Sequence, residues 1–193
     1  MQIPKLSRRR LEQILLIVFL VVAYRYISRR QGPNLVGKSV DQSKTIVEIA
    51  NDGAANVAKP SLVIADLLKN NMATVFVFTA SWCSTCKAEA PQLNRMFQET
   101  RSKGVPFYAV HLDDTEGDAL GFSLKHQYQF HITMDHSGAF ATSVDVRAVP
   151  QFIIVDQVGQ IRYHLRGPIQ TANFEMVKSA VLADYQPSPK SEK

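Results

Sequence analysis

The segment Trp82-Cys83-Ser84-Thr85-Cys86-Lys87 is the most informative part of this chain. Its cysteines are the only two in 193 residues. They follow the apolar, β-branched run Ala73–Thr79, which is typical of a strand buried on both faces, and they precede a run with helical spacing. A cysteine pair of this spacing at the start of a helix can open and close as a disulfide. The unpaired backbone N–H groups and the helix dipole favour the thiolate there.

Strand and helix patterns alternate on both sides of this dithiol. The predicted strands cover residues 45–50, 73–79, 105–112, 151–156 and 160–166, and the predicted helices cover 62–69, 84–103, 115–128 and 171–183. The last two strands form a hairpin, because Gln157-Val158-Gly159 reads as a turn. The order predicts an α/β fold with a central mixed sheet flanked by helices. The dithiol then lies at the carboxyl end of a central strand, where open α/β sheets place their chemistry.

The charge of the chain is unevenly distributed. The formal net charge is +5, but the basic residues cluster in residues 1–30, where Glu12 is the only acid. The remainder is close to neutral and offers no basic stripe that could follow a phosphate backbone. We therefore expect no nucleic-acid partner.

An apolar run from Ile14 to Tyr24 lies between the two basic clusters. It predicts a transmembrane signal-anchor over residues 11–28, with residues 1–10 as a cytoplasmic basic segment. The run is short, because a helix needs roughly 17–25 residues to cross a bilayer. A cleaved signal peptide ending near Val21-Val22-Ala23 is the alternative.

The remaining boundaries follow from composition. Residues 29–44 are polar and contain Gly and Pro, which predicts a tether. Residues 45–185 form the predicted domain. Residues 186–193 are rich in Pro, Ser and Lys and predict a disordered tail.

Two motifs resemble one known family. The branch of TlpA/ResA-like thioredoxins, membrane-tethered thiol–disulfide oxidoreductases that include the cytochrome c maturation thioredoxins, shows Trp-Cys-x-x-Cys-Arg/Lys-x-Glu-x-Pro. The matching residues here are Trp82, Cys83, Cys86, Lys87, Glu89 and Pro91. Residues 146–156, followed by Gly159, resemble the cis-proline segment and hairpin of the same family. The resemblance covers about residues 45–183 and implies a thioredoxin fold.

The resemblance implies roles for five residues in particular. Cys83 would be the exposed nucleophile and Cys86 the resolving thiol. Pro150 would be cis and face the dithiol, so that the backbone of Val149 could pair with an extended substrate peptide. Trp82 would shape the exposed surface beside the cysteines.

Two charged residues near the cysteines have less definite roles. Lys87 is expected to be a solvated helix residue with a weak electrostatic effect on the thiolate. Glu89 either serves in proton transfer or partner contact, or is a first-turn acid favoured by the helix dipole. Val77 and Thr79 depart from the family pattern, and the strand supplies no carboxylate behind the dithiol.

The function expected from this resemblance is reduction of protein disulfides by a protein of the bacterial inner membrane, with its domain in the periplasm. A membrane thiol donor would restore the dithiol. No cofactor or metal is implied beyond the redox-active disulfide. An oxidase or isomerase would use the same residues.

An alternative of a different class is a Sco-like copper chaperone. Such proteins use C-x-x-x-C with a distal histidine, whereas the spacing here is C-x-x-C. We interpret the histidines as surface or strand residues rather than ligands; they are His111, His126, His131, His136 and His164.

Overall fold

The computed structural model describes residues 8–31, 34–49 and 60–183. The chain forms two units, residues 1–34 and residues 35–193. The strands are β1 Thr45–Glu48, β2 Ser61–Val63, β3 Ala73–Thr79, β4 Phe107–His111, β5 His131–Met134, β6 Gln151–Asp156 and β7 Ile161–Arg166. The helices are α1 Arg8–Gln31, α2 Ile64–Lys69, α3 Ser84–Thr100, α4 Glu116–Lys125, α5 Ala139–Ser143 and α6 Phe174–Ala183.

The second unit is built on one mixed sheet. Its strand order is β2-β1-β5-β4-β3-β6-β7. β3, β4 and β5 are parallel neighbours, while β6 and β7 form the predicted antiparallel hairpin at one edge. The expected α/β fold with a mixed sheet is therefore confirmed.

The central strand β3 is buried on both faces, as its sequence predicts. Val75 and Val77 pack in the core that contains residues of α3 and α6. Phe76 and Phe78 point the other way, into the core that contains residues of α2 and α5. Strand side chains alternate between faces, so an uninterrupted apolar run is stable only where helices cover both sides.

Three short elements differ from the sequence expectation. The helix predicted over residues 62–69 is shorter than expected: Ser61–Val63 form β2, which pairs with β1, and α2 begins only at Ile64. β5 and α5 were not predicted. Such segments are too short for a periodic pattern, and their conformation is set by pairing with β4 or packing on the sheet.

Residues 35–44 belong to the domain, which corrects the predicted tether. Leu35 and Val40 are buried in the core on the α2 side. Gly37 and Val40 donate backbone hydrogen bonds of 2.8 Å to the carbonyl oxygens of Ile161 and Gly159. These contacts extend the edge of the hairpin, and a polar composition with Gly and Pro does not reveal them.

The first unit contains α1, which covers the predicted apolar run. No helix in the described part of the chain is both long and apolar enough to cross a membrane. The transmembrane segment predicted over residues 11–28 is therefore not confirmed. The charged residues Glu12 and Arg25 lie within that range and shorten its apolar part. Residues 1–7 of the predicted basic segment and the tail, residues 186–193, lie outside the described residues.

Candidate active site

The dithiol lies where the central strand ends and a helix begins. The chain leaves the sheet after Thr79, and Cys83 is the N-cap residue of α3. The backbone of Cys83 is extended, and its N–H donates to the carbonyl oxygen of Ala80 at 3.2 Å. This turn places the first cysteine at the positive end of the helix dipole.

The two cysteines are joined in a disulfide, with their Cα atoms 5.3 Å apart. Cys83 is 7% exposed and Cys86 is fully buried, so only the first can meet a partner. The backbone N–H of Cys86 donates to Cys83 Sγ at 3.0 Å. In the dithiol form, an N–H group in this position favours a thiolate on Cys83.

The segment before β6 lies against the dithiol. The Val149–Pro150 peptide bond is cis, as the sequence predicted. Cys83 Sγ lies 3.9 Å from the carbonyl oxygen of Val149. Val149 is half-buried and Pro150 is buried. The two motifs that are distant in sequence therefore meet at one point of the surface.

Trp82 and Lys87 are exposed on either side of the cysteines. Trp82 is 59% exposed. Lys87 is solvated on α3, as expected. Burial, together with the charges of Lys125 and Lys87, lowers the pKa of His126.

Glu89 is not a solvated first-turn acid; it is buried, with 3% of its surface exposed. It follows Cys86 by three residues, so the two side chains are neighbours on one helix face. Its Oε2 accepts a hydrogen bond of 3.0 Å from the backbone N–H of Ile169, while Oε1 makes no hydrogen bond among the described residues. Burial raises the pKa of this carboxyl from 4.5 to about 8, against the opposing effect of the Ile169 N–H. Strand β3 supplies no carboxyl group behind the dithiol, but helix α3 supplies one, that of Glu89.

Two hydroxyl groups share this buried layer. Thr79 is fully buried and Tyr128 is 8% exposed, and neither hydroxyl oxygen makes a hydrogen bond among the described residues. Burial and then the charge of Glu89 raise the pKa of Tyr128, whereas the nearby Thr79 lowers it. Sequence reasoning missed Tyr128.

A cavity of about 450 Å³ opens beside the first turns of α3. Its walls come from α3 and from the segment between β7 and α6; they are Ser84, Thr85, Ala88, Glu89, Gln92, Pro168, Ile169, Gln170 and Thr171. The volume is in the range of pockets that hold a side chain or a small ligand. The cavity opens next to Ser84 and Thr85, the two residues between the cysteines.

The histidines are distributed among structural contacts. His111 is buried and contacts Asp114, His131 contacts Glu48, and His164 contacts Gln151, with nitrogen–oxygen distances of 2.7, 2.7 and 2.9 Å. Within residues 8–31, 34–49 and 60–183, no three His, Cys, Asp or Glu side chains are grouped closely enough to hold a metal ion. No observation therefore favours the copper-chaperone alternative.

Comparison with known proteins agrees with this geometry. A thiol:disulfide interchange protein DsbE homologue of Paracoccus denitrificans is 33% identical over 123 residues, which cover 63% of this chain and 66% of that protein. The chain thus spans just under two thirds of that relative's length. The thiol-disulfide oxidoreductase ResA of Oceanobacillus iheyensis is 26% identical over 167 residues, covering 84% of this chain and 82% of that protein.

Two further comparisons identify the fold and the family. A crystal structure of a thiol:disulfide interchange protein DsbE from Chlorobium tepidum matches with a TM-score of 0.61 and 23% identity, covering 77% of this chain and 98% of that one. At this identity the likeness shows the fold alone, and the fold is thioredoxin-like. The model of the AhpC/TSA family matches residues 46–164, which include both cysteines, Glu89 and Pro150. The chain therefore belongs to the AhpC/TSA family.

Proposed function

We propose that the protein is a thiol–disulfide oxidoreductase that reduces disulfide bonds of selected proteins. One observation supports this proposal above the others: Cys83 is the N-cap of α3, and the Cys86 N–H lies 3.0 Å from its sulfur. A thiolate is favoured at this position, and the thiolate is the nucleophile of disulfide exchange.

The reaction takes two steps. The Cys83 thiolate attacks one sulfur of the substrate disulfide, and the other sulfur leaves as a thiolate that takes up a proton. The Cys86 thiol then loses its proton and attacks Cys83 Sγ, which releases the second substrate thiol and closes the Cys83–Cys86 disulfide. The substrate disulfide gains two electrons and the dithiol loses two. A thiol donor, which we place in the membrane, must return two electrons before the next cycle.

Glu89 is the group placed to accept the proton of Cys86. It lies one helical turn from the buried cysteine, and its carboxyl has a pKa of about 8. A base with a pKa near the working pH is partly ionised and still binds a proton well, which suits general base catalysis. The resolving step would therefore run faster as the pH approaches this value.

A protein substrate would contact the site at the side chain of Trp82 and at the backbone of Val149. Exposed Trp82 offers apolar surface, and the backbone of Val149 next to Cys83 can pair with an extended peptide. The cavity lined by Ser84, Thr85 and Glu89 opens beside the first turns of α3. Contacts with this cavity as well as with Val149 would select a protein substrate over a small disulfide.

The direction of exchange is tested by following both redox forms. The reduced protein and the disulfide form are incubated separately with a protein disulfide and with its reduced counterpart, and free thiols are counted by mass spectrometry after alkylation. A reductase leaves the protein substrate reduced and its own cysteines joined. Net formation of substrate disulfides would instead make the protein an oxidase.

We also propose that residues 8–31 hold the protein at the bacterial inner membrane, with the domain on the periplasmic side. Basic residues flank the apolar run on both sides, and their long side chains can extend to the lipid headgroups and compensate for its limited length. The slight excess of basic residues before the run favours an N-terminus inside the cell.

Membrane attachment gives a separate prediction. The full chain should remain with the membrane after washing at high salt and at alkaline pH, and a chain that starts at Leu35 should be released. A C-terminal reporter that requires an oxidising compartment should be active. Recovery of the full chain in the wash, or a reporter active only inside the cell, would contradict the attachment or its orientation.

A further inference from the structure

The turn that precedes the dithiol is held by a carboxylate from the loop that follows the neighbouring strand β4. Ser81 donates two hydrogen bonds to Asp114: its N–H to Oδ2 at 2.8 Å and its O–H to Oδ1 at 2.6 Å. Both oxygens of the carboxylate are therefore engaged by one residue. Ser81 lies inside the turn that the Cys83 N–H closes on Ala80.

Asp114 is itself fixed from the opposite side. His111 Nδ1 lies 2.7 Å from Asp114 Oδ2, and the two side chains are 0% and 1% exposed. His111 ends β4, where it pairs with Thr79, and its Nε2 lies 3.4 Å from the hydroxyl of buried Ser123. The carboxylate thus has three hydrogen-bond contacts, two with Ser81 and one with His111, and these fix its orientation.

The backbone supports the same arrangement. Asp113, the residue before Asp114, has a φ of 52°, which is uncommon for a residue other than glycine. Thr115, the residue after it, caps α4 by accepting the N–H of Asp118 at 3.1 Å. The chain therefore bends sharply between β4 and α4 and turns Asp114 inward, toward the dithiol turn rather than into solvent.

The position of this network suggests a role beyond stability. Disulfide exchange by Cys83 depends on the contact between its sulfur and the Cys86 N–H, which is 3.0 Å long. That contact requires the turn from Ala80 to Cys83 to keep its position relative to the first turn of α3. A bidentate charge-assisted bond is the stronger kind of hydrogen bond and restricts orientation as well as distance.

We propose that Asp114 is a positioning residue for the nucleophile. Acting through Ser81, and held by His111, it fixes the turn so that Cys83 Sγ stays within reach of the Cys86 N–H. The inference rests on the proposed function, because it assigns Asp114 to the nucleophile of that reaction. Asp114 is a buried acid 28 residues from Cys86 in the chain, and it lies outside both family motifs, the Cys-x-x-Cys segment and the cis-proline segment.

The test compares two serines that each donate an N–H and an O–H to the carboxylate of one aspartate. Ser43 also donates its N–H and O–H to one aspartate, Asp41, at 3.0 and 2.6 Å, but at an exposed site outside the dithiol turn. Ser81→Ala and Ser43→Ala are made in the full chain. The thiol pKa of Cys83 is obtained from the alkylation rate of the reduced proteins as a function of pH, and thermal unfolding is recorded for both.

Ser81→Ala should raise the Cys83 thiol pKa, so that its thiolate fraction at neutral pH falls about threefold, because loss of the Ser81 O–H bond to Asp114 weakens the contact between the Cys86 N–H and the sulfur. Ser43→Ala should leave the thiol pKa at the wild-type value. An unchanged thiol pKa in folded Ser81→Ala would overturn the proposal, whatever the loss of stability.

A second variant separates positioning from charge. Removing the negative charge in Asp114→Asn would by itself lower the thiol pKa of Cys83, because a nearby anion disfavours a thiolate. Loss of positioning raises it, and we expect the rise. If Asp114→Asn does not fold, the Ser81→Ala result decides. A wild-type protein that reduces no protein disulfide would contradict the proposed function. A wild-type protein that does so while both variants keep its thiol pKa would contradict the positioning role alone.

Discussion

Cys83→Ser is expected to abolish disulfide reduction, with a loss on the order of a thousandfold or more, as is found when a covalent nucleophile is removed. A serine hydroxyl at the same N-cap keeps the hydrogen bond from Cys86 but is not ionised at neutral pH, so it cannot attack a disulfide. The measurement is the rate of reduction of a protein disulfide by the fully reduced protein. Fold retention is checked by circular dichroism.

The matched comparison is the order in which the two thiols react. Cys83 is 7% exposed and stabilised as a thiolate, while Cys86 is fully buried. Alkylation of the reduced wild type near neutral pH should therefore modify Cys83 first, as shown by peptide mapping. Equal rates, or a faster Cys86, would contradict the assignment of nucleophile and resolving thiol.

Glu89→Gln is expected to change both the pH dependence of stability and the resolving step. Burial raises the pKa of Glu89 from 4.5 to about 8 in the folded protein. The folded state therefore keeps a proton that the unfolded state loses across this interval. The free energy of unfolding should fall as the pH rises from 4.5 to 8, by about 1.4 kcal/mol per pH unit, and then level off.

Glutamine removes this dependence because it is neutral at every pH. Glu89→Gln should thus be more stable than the wild type above pH 8, and the difference in their free energies of unfolding should shrink as the pH falls toward 4.5. Denaturant unfolding at pH 5, 7 and 9 measures this difference. Glu99→Gln is the control on the same helix, since the pKa of Glu99 is lowered by Lys178 and Arg95 and its titration lies below this range. If the free energy of unfolding changed with pH in the same way for the wild type and for Glu89→Gln, Glu89 would not be a buried carboxyl group with a raised pKa.

The same variant tests the proton acceptor. Without the carboxylate, transfer of the Cys86 proton loses its base, and the mixed disulfide should persist about a hundredfold longer, within the range attributed to general base catalysis. Rapid acid quenching of the exchange reaction and mass spectrometry follow this species. A Glu89→Gln variant that resolves its mixed disulfide at the wild-type rate would remove Glu89 from the mechanism.

The parts of the structure that the sequence predicted are those with a strong local pattern. The buried run of β3 and the helix that begins after Cys83 each have a distinct periodicity. The hairpin after Pro150 is marked by its turn. The two family motifs then indicated that Pro150 should face the dithiol, and in the structure the carbonyl oxygen of the preceding residue, Val149, lies 3.9 Å from Cys83 Sγ.

What the sequence did not predict depends on contacts between distant residues. The 3.0 Å bond from Ile169 to Glu89 joins residues 80 positions apart, and nothing in the helix pattern shows that this acid is buried. The bonds from Ser81 to Asp114 join residues 33 positions apart. Residues 35–44 read as a linker because the hairpin edge that they pair with lies more than a hundred residues later.

Capture of the mixed disulfide is the decisive experiment for the role of Cys83. The Cys86→Ala variant, reduced and mixed with a protein that contains one disulfide, is alkylated at once, digested without reductant and examined by mass spectrometry. We expect a stable covalent complex in which Cys83 is joined to a substrate cysteine, and its release on adding a small thiol. A folded variant that forms no such complex, while its Cys83 remains open to alkylation, would rule out Cys83 as the nucleophile of disulfide reduction.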